Sequence, residues 1–219
     1  MMRDMSDDAG EHRATRRAGY AEETRTALIQ AARELFTEKG YADTGTEEIL
    51  RRAHTSRGAM YHHFASKEAL FRAALEDVEQ EFINRLAEMG APGEDVWEEI
   101  TNGCQLFLDV ATEPSVQRMM LIDGPSVLGW LAWRSIEERY GFGLLRAFLG
   151  AAVKEGLIEE QPVGPLAHVL AGALNEAAIL IANADDRKAA RVEAGAAIAR
   201  LLAGLRRWPT RHLAVVGND

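Results

Sequence analysis

Positively charged and hydrogen-bonding side chains gather in one short stretch of this 219-residue chain. Residues 51–72 hold five Arg or Lys residues against one acidic residue, and three of the six histidines lie there too. Such side chains contact the phosphates and base edges of a nucleic-acid duplex. Because charge clusters also occur on ordinary solvated faces, the charge by itself leaves both interpretations open.

The residue types within this stretch favour contact with double-stranded DNA. The guanidinium of Arg57 can donate two hydrogen bonds to guanine, and the small residues Gly58 and Ala59 let a backbone approach the base edges. Tyr61 and His63 are placed to meet phosphates, while His62 can reach a base. The full set of candidate DNA contacts is Thr44, Ser56, Arg57, Gly58, Ala59, Tyr61, His62, His63 and Lys67.

Short helical patterns surround these residues and would position them. The apolar spacing predicts a first helix from about residue 22 to residue 39, ended by Gly40. Thr44 and Glu47 form a capping-box pattern that predicts the start of a second helix. The next turn contains His54 and is followed by a third helix over about residues 56–64, and Ser66 then caps a fourth helix. Two supporting helices and a short polar third helix are the pattern of a helix-turn-helix DNA reader, in which the third helix enters the major groove.

Several motifs in this region together resemble the TetR/AcrR family of bacterial transcriptional regulators. They are AARELFTEKGY, the T-x-T-x-x-I pattern from Thr44 to Ile49, SRGAMYHHF and SKEALF, all within residues 24–71. The turn departs from the family pattern, because His54 stands where Gly is usual, in a left-handed backbone position.

The resemblance implies an all-α fold, and the abundance of helix-forming residues predicts the same. We expect about nine helices in all. The expected organisation is a disordered arm over 1–20, a helix-turn-helix domain over 21–68, a ligand-binding and dimerisation domain over 69–207, and a tail over 208–219. In the larger domain the spacing predicts one long helix over about 125–156, interrupted near Gly141 and Gly143.

Composition limits the other classes of function. The net charge of −9 argues against indiscriminate nucleic-acid binding, since only one local surface is basic. The one cysteine permits no disulfide within the chain and fits a reducing cytosol. The N-terminal residues lack the apolar core of a secretory signal, and polar residues interrupt the most apolar helix, so we expect no membrane partner. Neither catalytic nor metal-binding motifs are present, and we expect no enzymatic activity, metal or cofactor.

Reading a palindromic operator requires a homodimer, because one helix-turn-helix unit contacts few bases. In relatives of this family the last two long helices form the interface. Here these helices cover about 165–184 and 187–207 and are strongly apolar. The expected interface residues are Leu166, Leu170, Ala173, Leu174, Ala177, Ile181, Ile198 and Leu202. The alternative is that both helices complete the core of a monomer.

Large aromatic and sulfur-containing residues in the middle of the chain suit a pocket for a small-molecule effector. His168, Asn175 and Glu176 interrupt an apolar helix and would form its polar end, with Arg134 as a candidate partner for Glu176. The candidate ligand contacts are Trp97, Phe107, Met119, Trp130, Trp133, Arg134, Tyr140, His168, Asn175 and Glu176. Ordinary core packing is the alternative for the large residues. For His168, Asn175 and Glu176 the alternatives are a structural polar network or an exposed edge.

The favoured function is a DNA-binding transcriptional regulator, a repressor that its effector releases from the operator. Activation fits the sequence as well as repression does. A second alternative is a redox-responsive regulator that uses Cys104, although its helical spacing with apolar neighbours favours a buried filler. A helical small-molecule-binding protein or an enzyme without a DNA role is a further alternative.

Overall fold

The computed structural model describes residues 5–89 and 95–206, and these residues form ten α-helices and one π-helix. The expected tail over 208–219 lies outside the described residues. The elements in chain order are α1 (Met5–Asp43), α2 (Thr46–Arg52), α3 (Arg57–His63), α4 (Lys67–Met89), α5 (Val96–Val110), the π-helix (Val116–Asp123), α6 (Gly124–Leu128), α7 (Trp130–Glu137), α8 (Gly141–Lys154), α9 (Val163–Asn183) and α10 (Arg187–Leu205). The all-α expectation is confirmed.

The first helix begins earlier than the sequence pattern indicates. Helix α1 starts at Met5, whereas we expected a disordered arm over 1–20 and a helix from about residue 22. Residues 5–20 include three Ala and three Arg residues, which favour helix even where an amphipathic stripe is absent. The expected break at Gly40 is confirmed, because Gly40 has a φ of 81° and interrupts α1 near its end.

The long helix expected over 125–156 is divided into α6, α7 and α8. Gly129, with a φ of 74°, separates α6 from α7, and a turn after Glu137 precedes α8. Gly141 is the first residue of α8, so one of the two expected interruption points coincides with a helix start.

The described helices divide into two compact units. The first unit contains α1–α4 and the run from the π-helix to α7, and the second contains α5 and α8–α10. This division differs from the domain boundary that we placed at residues 68/69, because α4 packs with the N-terminal helices. Phe71 of α4 lies 5.2 Å from both Phe36 and Tyr41, measured between ring centroids, and Leu75 and Val78 are buried on the same helix.

The second unit has its own apolar core, built from α5, α8, α9 and α10. Leu108, Leu149 and Ala167 are fully buried in it. By length and composition α9 is also apolar enough to cross a membrane. In its most apolar 18-residue segment, 33% of the residues are buried. A single such helix is weak evidence for a membrane span, because core helices of globular proteins have the same composition.

Candidate nucleic-acid interface

Helices α2 and α3 are joined by a tight turn that fixes their relative direction. His54 in this turn has a φ of 51°, and among the described non-glycine residues no other has a positive φ. The amide of Thr55 donates to the carbonyl of Leu50 at 3.0 Å, which closes the turn. The left-handed position expected at His54 is therefore confirmed, and histidine adopts it at less cost than a branched residue would.

Helix α3 has one buried side and one solvent-facing side. Met60 and Phe64 are buried, as expected for core residues. Arg57, Gly58, Tyr61 and His62 are exposed, and 51% of the Tyr61 surface is accessible. Ala59 and His63 are half-buried beside them. The structure thus brings most of the predicted base-reading residues onto one accessible face.

Arg57 has an acidic partner inside the chain. Its Nε donates to Glu47 Oε1 at 3.0 Å, and its terminal nitrogen Nη2 donates to the same oxygen. The bonding to Glu47, together with the negative charge of that residue, raises the pKa of Arg57. Both side chains are more than half exposed, so this ion pair breaks at little cost in free energy when another partner binds Arg57.

Two serines after the turn cap the next two helices, and the cap predicted at Ser66 is confirmed. Ser56 Oγ accepts a hydrogen bond from the Ala59 amide at 3.1 Å and caps α3. Ser66 Oγ accepts from the Ala69 amide at 3.0 Å and caps α4. The hydroxyl of Ser56 is exposed while it caps the helix, so a phosphate contact from this residue stays a prediction.

The expected role of Thr44 is wrong. Thr44 is 1% exposed, and its hydroxyl donates to the carbonyls of Gly40 at 2.7 Å and Leu35 at 3.2 Å. The N-cap of α2 is Gly45, which makes no side-chain capping bond, and Glu47 pairs with Arg57 instead of closing a capping box. A hydroxyl turned into the core to satisfy the end of α1 cannot also meet a phosphate.

Lys67 points toward the end of α1. Its ammonium donates to the carbonyl of Tyr41 and lies 4.1 Å from the centre of the Tyr41 ring. Burial lowers the pKa of Lys67, and the negative charges of Asp123 and Asp43 oppose that shift. In this conformation Lys67 fastens α4 to α1, and its phosphate contact stays a prediction.

Two residues of the π-helix complete this fastening and were missed from the sequence. Asp123 accepts a hydrogen bond from the Tyr41 amide at 2.8 Å, and Arg118 donates to the Lys39 carbonyl at 3.2 Å. Arg118 also lies 3.4 Å from Asp123, measured from Nε to Oδ2. No short-range pattern signals these contacts, because they join residues about eighty positions apart. They hold the backbone on either side of Gly40 from outside the helix-turn-helix.

The candidate ligand residues of the first unit form a cluster on and beside α7. Trp133 is buried and donates from Nε1 to the Met120 carbonyl at 3.1 Å, while Trp130 is 56% exposed. Arg134 pairs with Glu137, at 2.5 Å from Nη1 to Oε2, and its expected pairing with Glu176 stays a prediction. Tyr140 is half-buried. Met119 is fully buried, with its sulfur 3.7 Å from the Thr37 hydroxyl of α1, so it serves as packing in this unit.

The candidate ligand residues of the second unit do not share one site. Trp97 is 7% exposed and Phe107 packs against the same core. His168 and Glu176 are exposed and Asn175 is half-buried, so the expected polar end of a buried pocket is wrong for the two exposed residues. His168 stacks on Phe142 with ring centres 4.7 Å apart. Helix α9 has enough apolar residues to form a buried side that does not include His168, Asn175 or Glu176.

The residues expected at the dimer interface face inward. Five of them are buried in the core of the second unit, namely Leu170, Leu174, Ile181, Ile198 and Leu202. Leu166, Ala173 and Ala177 are partly buried against the same core. Because a side chain already buried within its own unit has little surface left for a partner, the choice of the five buried residues as the interface is corrected, and that of the three partly buried residues stays a prediction.

Cys104 lies in this core as well. It is 3% exposed, and burial raises the pKa of its thiol to about 12. Because the thiolate is the reactive form, this cysteine is chemically inert at neutral pH. The placement as an apolar filler is confirmed, and it gives no support to a redox-responsive function.

Comparisons with known proteins agree with this architecture. The family model for bacterial regulatory proteins of the tetR family matches residues 28–74, which cover the helix-turn-helix. The model for the tetracyclin repressor-like C-terminal domain matches residues 97–205. The two matched segments together span most of the described chain.

Individual relatives point to the same family. The HTH-type transcriptional regulator UidR of Escherichia coli K12 is 38% identical over 68 residues, which are 31% of this chain and 35% of UidR, so the match spans about a third of that relative. The uncharacterised HTH-type regulator YfiR of Bacillus subtilis is 28% identical over 183 residues, 78% of this chain and 85% of YfiR. A crystal structure of a TetR-family regulator from Pectobacterium atrosepticum is 34% identical, covers 87% of this chain and 98% of its own, and superposes with a TM-score of 0.70. This chain belongs to the TetR family of bacterial transcriptional regulators.

Proposed function

We propose that this chain represses transcription as a homodimer that binds a palindromic operator in double-stranded DNA and leaves it when a small-molecule effector binds. The observation that carries the proposal is the accessible face of α3. Arg57, Gly58, Tyr61 and His62 are exposed together on a helix that Met60 and Phe64 anchor in the core. A short helix anchored on one side and polar on the other can enter a major groove without unfolding its support.

In the complex, Arg57 reads a guanine and His62 reaches a neighbouring base edge. The small surface at Gly58 lets the α3 backbone approach the groove floor, and Tyr61 donates its hydroxyl to a phosphate. Arg57 must exchange Glu47 for the base, which it can do because the pair is exposed. Base contacts of this kind specify sequence, whereas phosphate contacts set the position of the protein on the duplex.

The dimer forms through the outward faces of α9 and α10, and not through the five buried residues named from the sequence. Apolar or small exposed residues recur along α10 at Ala189, Val192, Ala196, Ala199 and Ala203. On α9 the exposed residues Val169, Gly172 and Leu180 form a similar stripe that Glu176 interrupts. Small side chains let helices approach closely, and two helices from each subunit make a four-helix interface.

Effector binding acts by shifting a population between two arrangements of the dimer. The effector binds better to the arrangement in which the two α3 helices no longer match half-sites about 34–36 Å apart. Its effect on operator affinity cannot exceed its preference between the two arrangements.

The proposal is tested by footprinting the purified protein on the DNA upstream of its own gene at two salt concentrations. A palindromic protected site whose affinity falls steeply with salt is the expected result. Arg57→Ala should relax base preference at one position in each half-site. A footprint without symmetry, or binding that salt and Arg57→Ala leave unchanged, would reject the proposal.

Lys67→Met separates the two roles open to Lys67. If Lys67 contacts a phosphate, the variant weakens all sequences alike and lowers the salt slope by about one. If Lys67 only fastens α4 to α1, the slope stays the same and the loss appears as reduced thermal stability.

A further inference from the structure

A buried acid on α4 has no role in the DNA-reading surface. Glu79 is 1% exposed, and its Oε1 has no hydrogen-bond partner within the part of the chain that the structure describes. Leaving a buried carboxyl oxygen unsatisfied costs free energy that folding must offset elsewhere. A buried polar atom without a hydrogen-bond partner is uncommon in a folded core, and a group from outside the chain would satisfy it.

A second buried acid and one arginine lie beside it. Glu137 of α7 is 7% exposed and accepts a hydrogen bond from Arg134. Burial raises the pKa of Glu79, and the charge of Glu137 raises it further, while the charge of Arg134 opposes both. Two carboxyl groups therefore share one guanidinium in a site from which water is largely excluded.

The remaining charged groups near this pair are already matched. Glu76, on the same helix as Glu79, is bound by Arg139 at 2.5 Å. Burial raises the pKa of the Tyr140 hydroxyl, and the charges of Glu76 and Glu79 act in the same direction. Arg139 is exposed and engaged with Glu76, so it does not neutralise the buried pair.

Arg134 lies on one side of an open aromatic cage whose two rings, Trp130 and Trp133, have centroids 5.3 Å apart, so the guanidinium lies over both rings and not between them. Its guanidinium carbon lies 4.6 Å from the ring centre of Trp130 and 4.5 Å from that of Trp133. Indole faces and acidic groups around the same cation are the chemistry that binds organic cations. Trp133 is buried, but Trp130 is 56% exposed and Leu131 is 83% exposed, so one wall of the cage is reachable from solvent.

We infer that the effector is an aromatic organic monocation that displaces the Arg134 guanidinium from the faces of Trp130 and Trp133 and, together with Arg134, is balanced by Glu79 and Glu137. This inference deepens the proposed function and rests on it for the word effector. In the free protein Glu79 holds a proton, because two adjacent carboxylates cannot both ionise against one cation. Arg134 keeps its bond to Glu137 when it leaves the rings, so the incoming cation is a second positive charge in the site. Glu79 then ionises, and its proton passes to the buffer.

The test uses the full-length protein at pH 7.5, above the pKa of about 7 that burial gives Glu137, with two probes of similar size and opposite charge, benzyltrimethylammonium and phenylacetate. Titration calorimetry in two buffers of different ionisation enthalpy gives affinity and proton release, and quenching of tryptophan fluorescence reports on the cage. We expect the cation to bind at least tenfold more tightly than the anion, with release of close to one proton per site.

Three variants locate the site. Glu79→Gln should abolish proton release and weaken cation binding at least tenfold. Glu76→Gln removes the same charge from a half-buried position on α4 where Arg139 already balances it, and should change neither quantity. Trp130→Leu, at the exposed wall where folding is not at risk, should weaken cation binding about fivefold.

Tighter binding of phenylacetate than of the cation would overturn the inference in favour of an anion held by Arg134. Absence of cation binding, or proton release that survives Glu79→Gln, would overturn it as well. Operator binding is measured on the same preparations. Lost cation binding with intact operator binding rejects the cation site and leaves the proposed function standing, whereas absent operator binding rejects the proposed function itself.

Discussion

Arg57 has one acidic partner in its own chain and, in the proposed complex, a second partner on DNA. An exposed ion pair contributes little to stability, because both groups are well solvated when apart. Glu47 therefore acts mainly as a competitor for the Arg57 guanidinium, and the free protein holds its base-reading side chain in a folded-back position. The competition matters only in binding, where Arg57 must leave Glu47.

Glu47→Gln should tighten operator binding by about two- to fivefold, the range expected when an exposed ion pair no longer competes. Fluorescence anisotropy with labelled operator measures the change. Glu48→Gln is the matched control, since it removes the same charge from α2 but frees Lys39 and not Arg57. Weaker binding by Glu47→Gln than by the control would mean that Glu47 orients Arg57 for its base.

The buried acids predict an unusual pH dependence of stability. Burial raises the pKa of Glu137 to about 7 and that of Glu79 well above its ordinary value. Each group holds a proton in the folded state that the unfolded chain releases above about pH 4.5. The stabilisation is therefore complete below that pH and is lost as the pH rises through the folded-state pKa values.

The free energy of unfolding should fall between pH 5 and pH 8, by at most about 1.4 kcal/mol per pH unit for each acid. Urea unfolding at fixed pH values measures the slope. Glu79→Gln should flatten it by close to one proton, and Glu76→Gln should not. A wild-type slope of zero would contradict the protonated state assigned to this pair.

The elements near the DNA-reading face were predictable because local chemistry fixes them. Gly40, His54, Ser56 and Ser66 each satisfy a backbone requirement that a reader of the sequence can state. Thr44 was misjudged because its capping-box pattern is equally satisfied by a hydroxyl turned toward the preceding helix. The contacts from the π-helix to the backbone beside Gly40 could not be predicted, since Asp123 and Tyr41 are distant in sequence and no local rule joins them.

Gly40→Ala should destabilise the protein by about 1–3 kcal/mol, because φ is 81° and ψ is 168° there, a conformation nearly restricted to glycine. The added methyl would also clash with the Arg118 guanidinium and push away the side chain that holds the Lys39 carbonyl. Urea unfolding measures the loss.

Gly103→Ala provides the opposite expectation in an ordinary helix. Among the described residues no neighbouring heavy atom lies within 4 Å of a methyl at this position in α5, so the variant should gain about 0.5–1 kcal/mol. Equal effects of the two substitutions would show that the backbone at Gly40 is not under the constraint described.

The need for a dimer could be predicted from the sequence, because one helix-turn-helix unit contacts few bases. The surface proposed for the dimer could not be predicted in the same way. Helix α9 is apolar nearly all round, so its sequence gives no preferred direction, and the large residues chosen for the interface are the ones that the core takes. The apolar residues of α9 and α10 that lie outside the core form a second set, most of which are small. Only 33% of the apolar window of α9 is buried within the subunit, which leaves an apolar surface that a partner copy would cover.

Ala196→Glu should break the proposed dimer, because it places a charge in the middle of the small apolar stripe of α10. Sedimentation velocity should show a monomer at micromolar concentration, and operator affinity should fall at least tenfold because one helix-turn-helix unit binds alone. Thermal unfolding checks that the subunit itself still folds.

Ala197→Glu is the matched control for this variant. Ala197 is also exposed and is one residue away, but a helix turns by about 100° per residue, so its side chain leaves the stripe for a face that includes Glu193 and Arg200. The control should remain dimeric and keep its operator affinity. If Ala196→Glu stays dimeric while Ala197→Glu dissociates, the interface lies on that neighbouring face. If both remain dimeric, α10 is not at the interface, and the spacing between the two α3 helices must be set by another surface of the subunit.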